Sequence, residues 1–204
     1  MNKNKIPPPV TISHYISWEQ SNLSSQNFYE MGKALGQSVQ SGFWGYVFLH
    51  FGEPWMDGST YSVLDYAYIS IPVTDVELFV KSYISGFYNN SPANAFLIAT
   101  PSITNYGPYF SYIGDSQGFG RAWGTMVSNI VTWINTPPSY AGKVAIAGGL
   151  DNELSWNNAN KSLSWKSGYT TTASRPYLYF GDCNSCPYFA EPDWTPLPFG
   201  WTLE

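Results

Sequence analysis

Lys143 to Trp156 reads KVAIAGGLDNELSW, an apolar run, two glycines, then two carboxylates one residue apart. Val144, Ala145, Ile146 and Ala147 predict a short buried strand, and Gly148-Gly149 permits a turn or the close approach of a neighbour. Where the strand continues, residues i and i+2 share a face, so Asp151 and Glu153 point the same way at its carboxyl end. Like charges disfavour double ionisation, which is how a glycosidase keeps one carboxyl protonated near neutral pH. The same residues also read as a turn at Asp151, with Glu153 capping a helix from near Asn157.

On either side the pattern of buried strand and amphipathic helix recurs. Upstream, Ser116 or Asp115 opens a helix in which Trp123, Met126, Val127, Ile130, Val131 and Ile134 hold helical spacing, and Pro137-Pro138 ends it. Asn94 to Ser102, NAFLIATPS, is an apolar strand followed by the aromatic loop Tyr106-Gly107-Pro108-Tyr109-Phe110. Before it, Thr74 caps a helix Asp75 to Tyr88, with Val76, Phe79, Val80, Tyr83, Ile84 and Phe87 as its buried stripe. Phe43 to Phe51, FWGYVFLHF, has no polar alternation, as expected of a strand covered on both faces. Gly52-Glu53-Pro54 breaks that strand, and a loop runs on through Tyr61 to Ser70 with room for a short extra strand or helix. Nearer the start, Asn27 or Ser25 caps a helix carrying Phe28, Met31, Leu35 and Val39, and Thr11 to Ser17 alternates as a first strand. Residues 1–9 form a polar, proline-rich lead-in, and 10–204 form one domain. Downstream, a helix from about Asn158 to Tyr169 carries Leu163 and Trp165 among its apolar positions, and Pro176 to Phe180 is a further strand.

Strand and helix thus alternate four times before a fifth strand, which predicts a parallel α/β sheet with right-handed crossovers. No GxGxxG or Walker loop follows an early strand, as a nucleotide-binding doubly wound sheet would show. A (β/α)8 TIM barrel places its chemistry at the carboxyl ends of strands, where Asp151, Glu153, Asp182, Glu53 and Tyr106 fall. The expected fold is therefore an incomplete, C-terminally truncated (β/α)8 barrel of about five parallel strands and four intervening helices. Its open edges would recruit the missing C-terminal strands or a second copy.

Composition narrows the function. Aromatic residues make up 18% of the chain and charged residues only 11%, so its surface meets its surroundings through rings, hydroxyls and amides, which suits sugars. The net charge of -5 argues against nucleic acid, which demands clustered Lys and Arg, and no apolar run approaches a membrane span. Cys183 and Cys186, separated by Asn-Ser, read as a local disulfide of an oxidising compartment or as a reduced pair. A zinc site would need two more ligands, and His14 and His50 lie far off in sequence, so no metal or cofactor is implied.

The segment Gly148-Gly149-Leu150-Asp151-Asn152-Glu153-Leu154-Ser155-Trp156, with Trp165 and Gly168-Tyr169 after it, resembles a GGxDxExxW pattern. That pattern marks a group of uncharacterised, mostly secreted bacterial proteins with a glycoside hydrolase-like (β/α) barrel domain. Tyr177-Leu178-Tyr179-Phe180-Gly181-Asp182 with Cys186-Pro187 matches the next piece, and Trp201-Thr202-Leu203-Glu204 resembles the start of another. The Asp-x-Glu is also similar to that of muramidase-type lysozymes on a barrel fold. The resemblance implies Glu153 as general acid, Asp151 as its partner, and a secreted or cell-surface setting. Tyr106, Trp156, Tyr179 and Asp182 would line a cleft for a polysaccharide or peptidoglycan, with His50 and Glu53 beside them. His50 reads either as a third participant or as a core histidine bonded to a neighbour. A catalytically inert carbohydrate-binding module on the same barrel is the alternative.

Overall fold

Along the strand that ends in His50, Val47 and Leu49 alternate with Tyr46, Phe48 and His50, and the two sets emerge on opposite faces of a parallel sheet. The computed structural model describes residues 10–16, 23–105, 109–151, 159–172 and 177–181. In it β1 (Val10–Tyr15), β2 (Trp44–His50), β6 (Phe96–Thr104), β7 (Val144–Asp151) and β8 (Tyr177–Gly181) stand side by side in that order, every pair parallel. Between them run α1 (Ser25–Ser38), α2 (Val73–Asn90), the short α3 (Tyr109–Tyr112), α4 (Ser116–Asn135) and α5 (Ala159–Thr170). A mixed α/β fold on a parallel sheet is what the alternation of strand and helix predicts.

Strand order equals chain order, and right-handed crossovers then bring every helix to one side of the sheet. One apolar core fits that arrangement. It joins Val47, Leu49, Leu97, Ala99, Val144 and Ile146 to the helix stripes around Phe79, Val80, Trp123, Ile130 and Trp165. Each such aliphatic side chain, fully buried, contributes about 1.5–3 kcal/mol. The opposite alternation, Tyr46, Phe48, His50, Thr100, Ser102, Gly149 and Asp151, is buried as well.

Neighbouring helices meet at glycines because only a residue without a Cβ lets two backbones touch. A Cβ at Gly32 of α1 would strike the Tyr83 carbonyl of α2, and one at Gly86 of α2 would strike the Tyr29 carbonyl of α1. Gly120 of α4 and Gly168 of α5 meet the carbonyls of Trp165 and Gln117 in the same reciprocal way. Phe28 stacks on Phe79 at 4.7 Å between centroids where α1 and α2 cross.

The largest departure from expectation lies between β2 and α2. There β3 (Glu53–Asp57), β4 (Thr60–Leu64) and β5 (Ser70–Pro72) make a three-stranded antiparallel sheet of their own. Short strands with mixed burial and a Gly58 turn at φ 59° give too little periodicity to be read as a sheet from sequence. Helix starts also differ. Ser24, not Asn27 or Ser25, caps α1 by accepting from the Asn27 N–H, and α2 begins at Val73 directly after Pro72, so Thr74 lies inside it. Leu163 is exposed on α5, because Ser162, Trp165 and Tyr169 take the buried face.

Gly32→Ala is expected to lower stability by about 1–3 kcal/mol, the cost of forcing a side chain into a closed contact. Gly142→Ala, whose Cβ meets nothing within 4 Å, is the matched control, and chemical denaturation of both compares them.

Candidate functional site

The parallel strands end together at one rim. β7 keeps its strand conformation through both glycines as far as Asp151, its last residue. The two glycines are required by different neighbours. A Cβ on Gly148 would lie 2.5 Å from the Tyr169 ring of α5, whose hydroxyl accepts the Gly148 N–H at 3.0 Å. A Cβ on Gly149 would lie 2.6 Å from the Ser102 Cβ on the other face, so β6 and β7 converge there.

Register sets out what this inner face carries near the rim. His50, Ser102 and Gly149 occupy one row, and Thr104 and Asp151 occupy the row above it; the backbones of Tyr179 and Gly181 continue the two rows in register. Ser102 Oγ lies 2.8 Å from His50 Nδ1 and orients the ring. The Asn105 N–H donates to the Asp151 carbonyl at 3.1 Å, and its side chain reaches the Ser162 hydroxyl at 3.3 Å. Asp151 is 4% exposed and His50 is 1% exposed.

Burial of His50, with a smaller contribution from His14, depresses its pKa to about 4, so the imidazole is neutral at pH 7. His14 lies on the opposite, helix-facing side, where its Nε2 is 3.3 Å from the Tyr83 hydroxyl. Glu53 sits just beyond β2, and its Oε2 accepts the N–H groups of Tyr109 and Phe110 at 2.8 and 3.1 Å. Its pKa is raised because burial outweighs those two donors. Glu53 therefore acts as the post that holds α3 against β3. A second tie joins the inserted sheet to α4: the Tyr61 hydroxyl donates to Asp115 Oδ2 at 2.8 Å, and Asp115 Oδ1 caps α4 at the Gly118 N–H.

Of the residues singled out from sequence, the structure brings Asp151 and His50 to one face and keeps Glu53 at the rim as an anchor. Tyr179 lies in β8, in register with Gly149. Tyr106, Glu153, Trp156, Asp182, Cys183 and Cys186 lie outside the described residues. Ser102, Thr104 and Asn105 are the site residues that sequence reasoning passed over. Their signal is a run of hydroxyl and amide side chains closing an otherwise apolar strand. Among the described residues no group of three or more His, Cys, Asp or Glu could hold a metal ion, and no helix is long and apolar enough to cross a membrane. No family model, curated protein or solved structure matches the chain.

The His50 environment sets a pH dependence. Below its ordinary value of 6.5 the unfolded chain takes up a proton that folded His50 refuses, so stability falls as pH drops from about 6.5 toward 4. The slope approaches about 1.4 kcal/mol per pH unit, and the loss totals about 3 kcal/mol. Glu53, with its raised pKa, acts with the opposite sign. Denaturation midpoints of wild type and His50→Gln compared from pH 4 to 7 isolate the His50 part, and the variant should show the shallower acid loss.

Proposed function

We propose that the chain is a carbohydrate-active domain built on an arc of a (β/α)8-type barrel, acting as a glycosidase on a cell-wall or environmental polysaccharide. The observation that carries this reading is the buried Asp151 at the carboxyl end of a central parallel strand, on a polar inner face with His50, Ser102 and Thr104. Sequential strand order with one helix-covered face supports the barrel, because a doubly wound sheet reverses its order partway. Convergence of β6 and β7 at Gly149 supports it again, since strands lean together on the concave side of a curved sheet.

In this mechanism Glu153 is the general acid. It protonates the glycosidic oxygen as the C1–O bond breaks and the sugar on that oxygen leaves as an alcohol, while the Asp151 carboxylate stabilises the positive charge developing on the sugar ring. A water then bonds to C1 and returns a proton to Glu153. The role of Glu153 rests on its position two residues after Asp151. A carboxylate separation of about 5–5.5 Å belongs to a retaining enzyme, and a wider one to inversion or to no catalysis. Neutral His50, oriented by Ser102, supplies a hydrogen-bonding ring to the same inner face. A secreted or surface-exposed setting, with Cys183 and Cys186 joined, completes the reading.

Hydrolysis of peptidoglycan, chitin and cellulose by the wild type, Glu153→Gln and Asp151→Asn tests it. Loss of a general acid should lower the rate by about 10²–10⁴-fold, with Asp151→Asn also impaired. Equal rates in wild type and Glu153→Gln would sink the catalytic assignment. Binding without hydrolysis in all three would make the domain an inert carbohydrate-binding module.

A further inference from the structure

The inserted sheet gathers aromatic rings at the same rim, and one of them is presented by a backbone conformation that a tyrosine rarely adopts. Trp55 of β3 meets Tyr109 of α3 edge to face at 5.6 Å between centroids, and Tyr68 meets Tyr109 at 6.1 Å. Tyr68 has φ 63°, the one described non-glycine residue with positive φ, and yet its side chain is 71% exposed. Burial therefore does not repay the disfavoured conformation. Asp65 imposes it: its Oδ1 accepts the N–H groups of Ala67 and Ile69 at 2.9 and 2.7 Å, and its carbonyl accepts that of Tyr68 at 2.9 Å. Tyr112, one turn along from Tyr109, is 75% exposed.

We propose that the exposed rings of Tyr68 and Tyr112 form a stacking platform, with Tyr68 braced edge to face by Tyr109 and Tyr109 by Trp55, for a neutral, β-1,4-linked polysaccharide of gluco-configured pyranoses. In such sugars every ring substituent is equatorial, so each face offers axial C–H groups to the negative face of an aromatic ring. Residues 53–72 and 109–115 contain no Lys or Arg but include Glu53, Asp57, Asp65 and Asp115; Lys161 at the Ile113 carbonyl and Arg121 near Asp115 offset them in part, and the remaining negative balance favours a neutral chain over an anionic one. The hydrogen bonds of Glu53 to α3 hold Trp55 and Tyr109 to one another before any ligand arrives, so the rings are pre-organised. The platform rests on the polysaccharide reading above but not on hydrolysis.

Titration of the 204-residue chain with cellohexaose and with chitohexaose, followed by calorimetry, tests the platform and shows whether an acetamido group is needed. Tyr68→Gly and Tyr112→Ala should each weaken binding by about tenfold, and Tyr68→Phe should retain it. Tyr68→Gly should also melt no lower than wild type, since glycine adopts φ 63° freely; a ring with a structural role would lower it. Failure of the wild type to bind either hexaose, unchanged binding in both tyrosine variants, or equal binding of the α-linked maltohexaose would overturn the proposal. Tyrosine variants that bind normally while Glu153→Gln loses hydrolysis remove the platform alone. Weakened variants beside a fully active Glu153→Gln remove the catalytic reading alone.

Discussion

Two adjacent glycines on β7 let the strand pack closely on both of its faces. Gly148 makes room for the Tyr169 ring on the helix side and donates its N–H to the Tyr169 hydroxyl, and Gly149 lets Ser102 of β6 close in from the other. A side chain at either position would need space already filled by an atom 2.5 to 2.6 Å away. Because the strand survives both residues, its next inward position, Asp151, comes to the rim with its side chain on the polar face. The site residues on β2 and β6 are then within one or two register steps of it.

Burial of polar groups on that face costs free energy unless they find partners, and the structure meets this with short-range pairs. Ser102 serves His50, and Asn105 ties the Asp151 backbone to α5 through Ser162. The same economy governs the inserted sheet. One carboxylate, Glu53, holds the start of α3, and a tyrosine hydroxyl, Tyr61, holds the cap of α4. An excursion of short antiparallel strands, too small to stand alone, is thereby fixed to two helices that belong to the parallel sheet. Through its Oε2, Glu53 accepts two backbone N–H groups of α3.

The strand and helix alternation was legible because each long element carries its own period. The stripe of α4 and the unbroken apolar runs of β2 and β6 are local statements about burial, and burial is what the structure shows. Helix caps were less legible, since Ser24, Ser25 and Asn27 are chemically equivalent candidates and only the backbone selects Ser24. The exposed face of Leu163 was lost for a similar reason. Helix α5 is short and weakly amphipathic, so packing against α4 through Gly168 and Trp165 decided its orientation.

The sequence by itself determined the alternation of strands and helices, the parallel sheet that follows from it, and the placing of Asp151 at a strand's carboxyl end. Those depend on periodicity and spacing, which are properties of neighbours along the chain. Only the tertiary structure decided that His50 meets Ser102, that Glu53 anchors α3, and that Tyr68 is held outward in a left-handed conformation beside Trp55 and Tyr109. These pairs join residues of different elements, up to 56 positions apart for Glu53 and Tyr109, and no local pattern encodes such a distance. What selects them is the space left once backbones touch at glycines and buried polar atoms take the partners within reach.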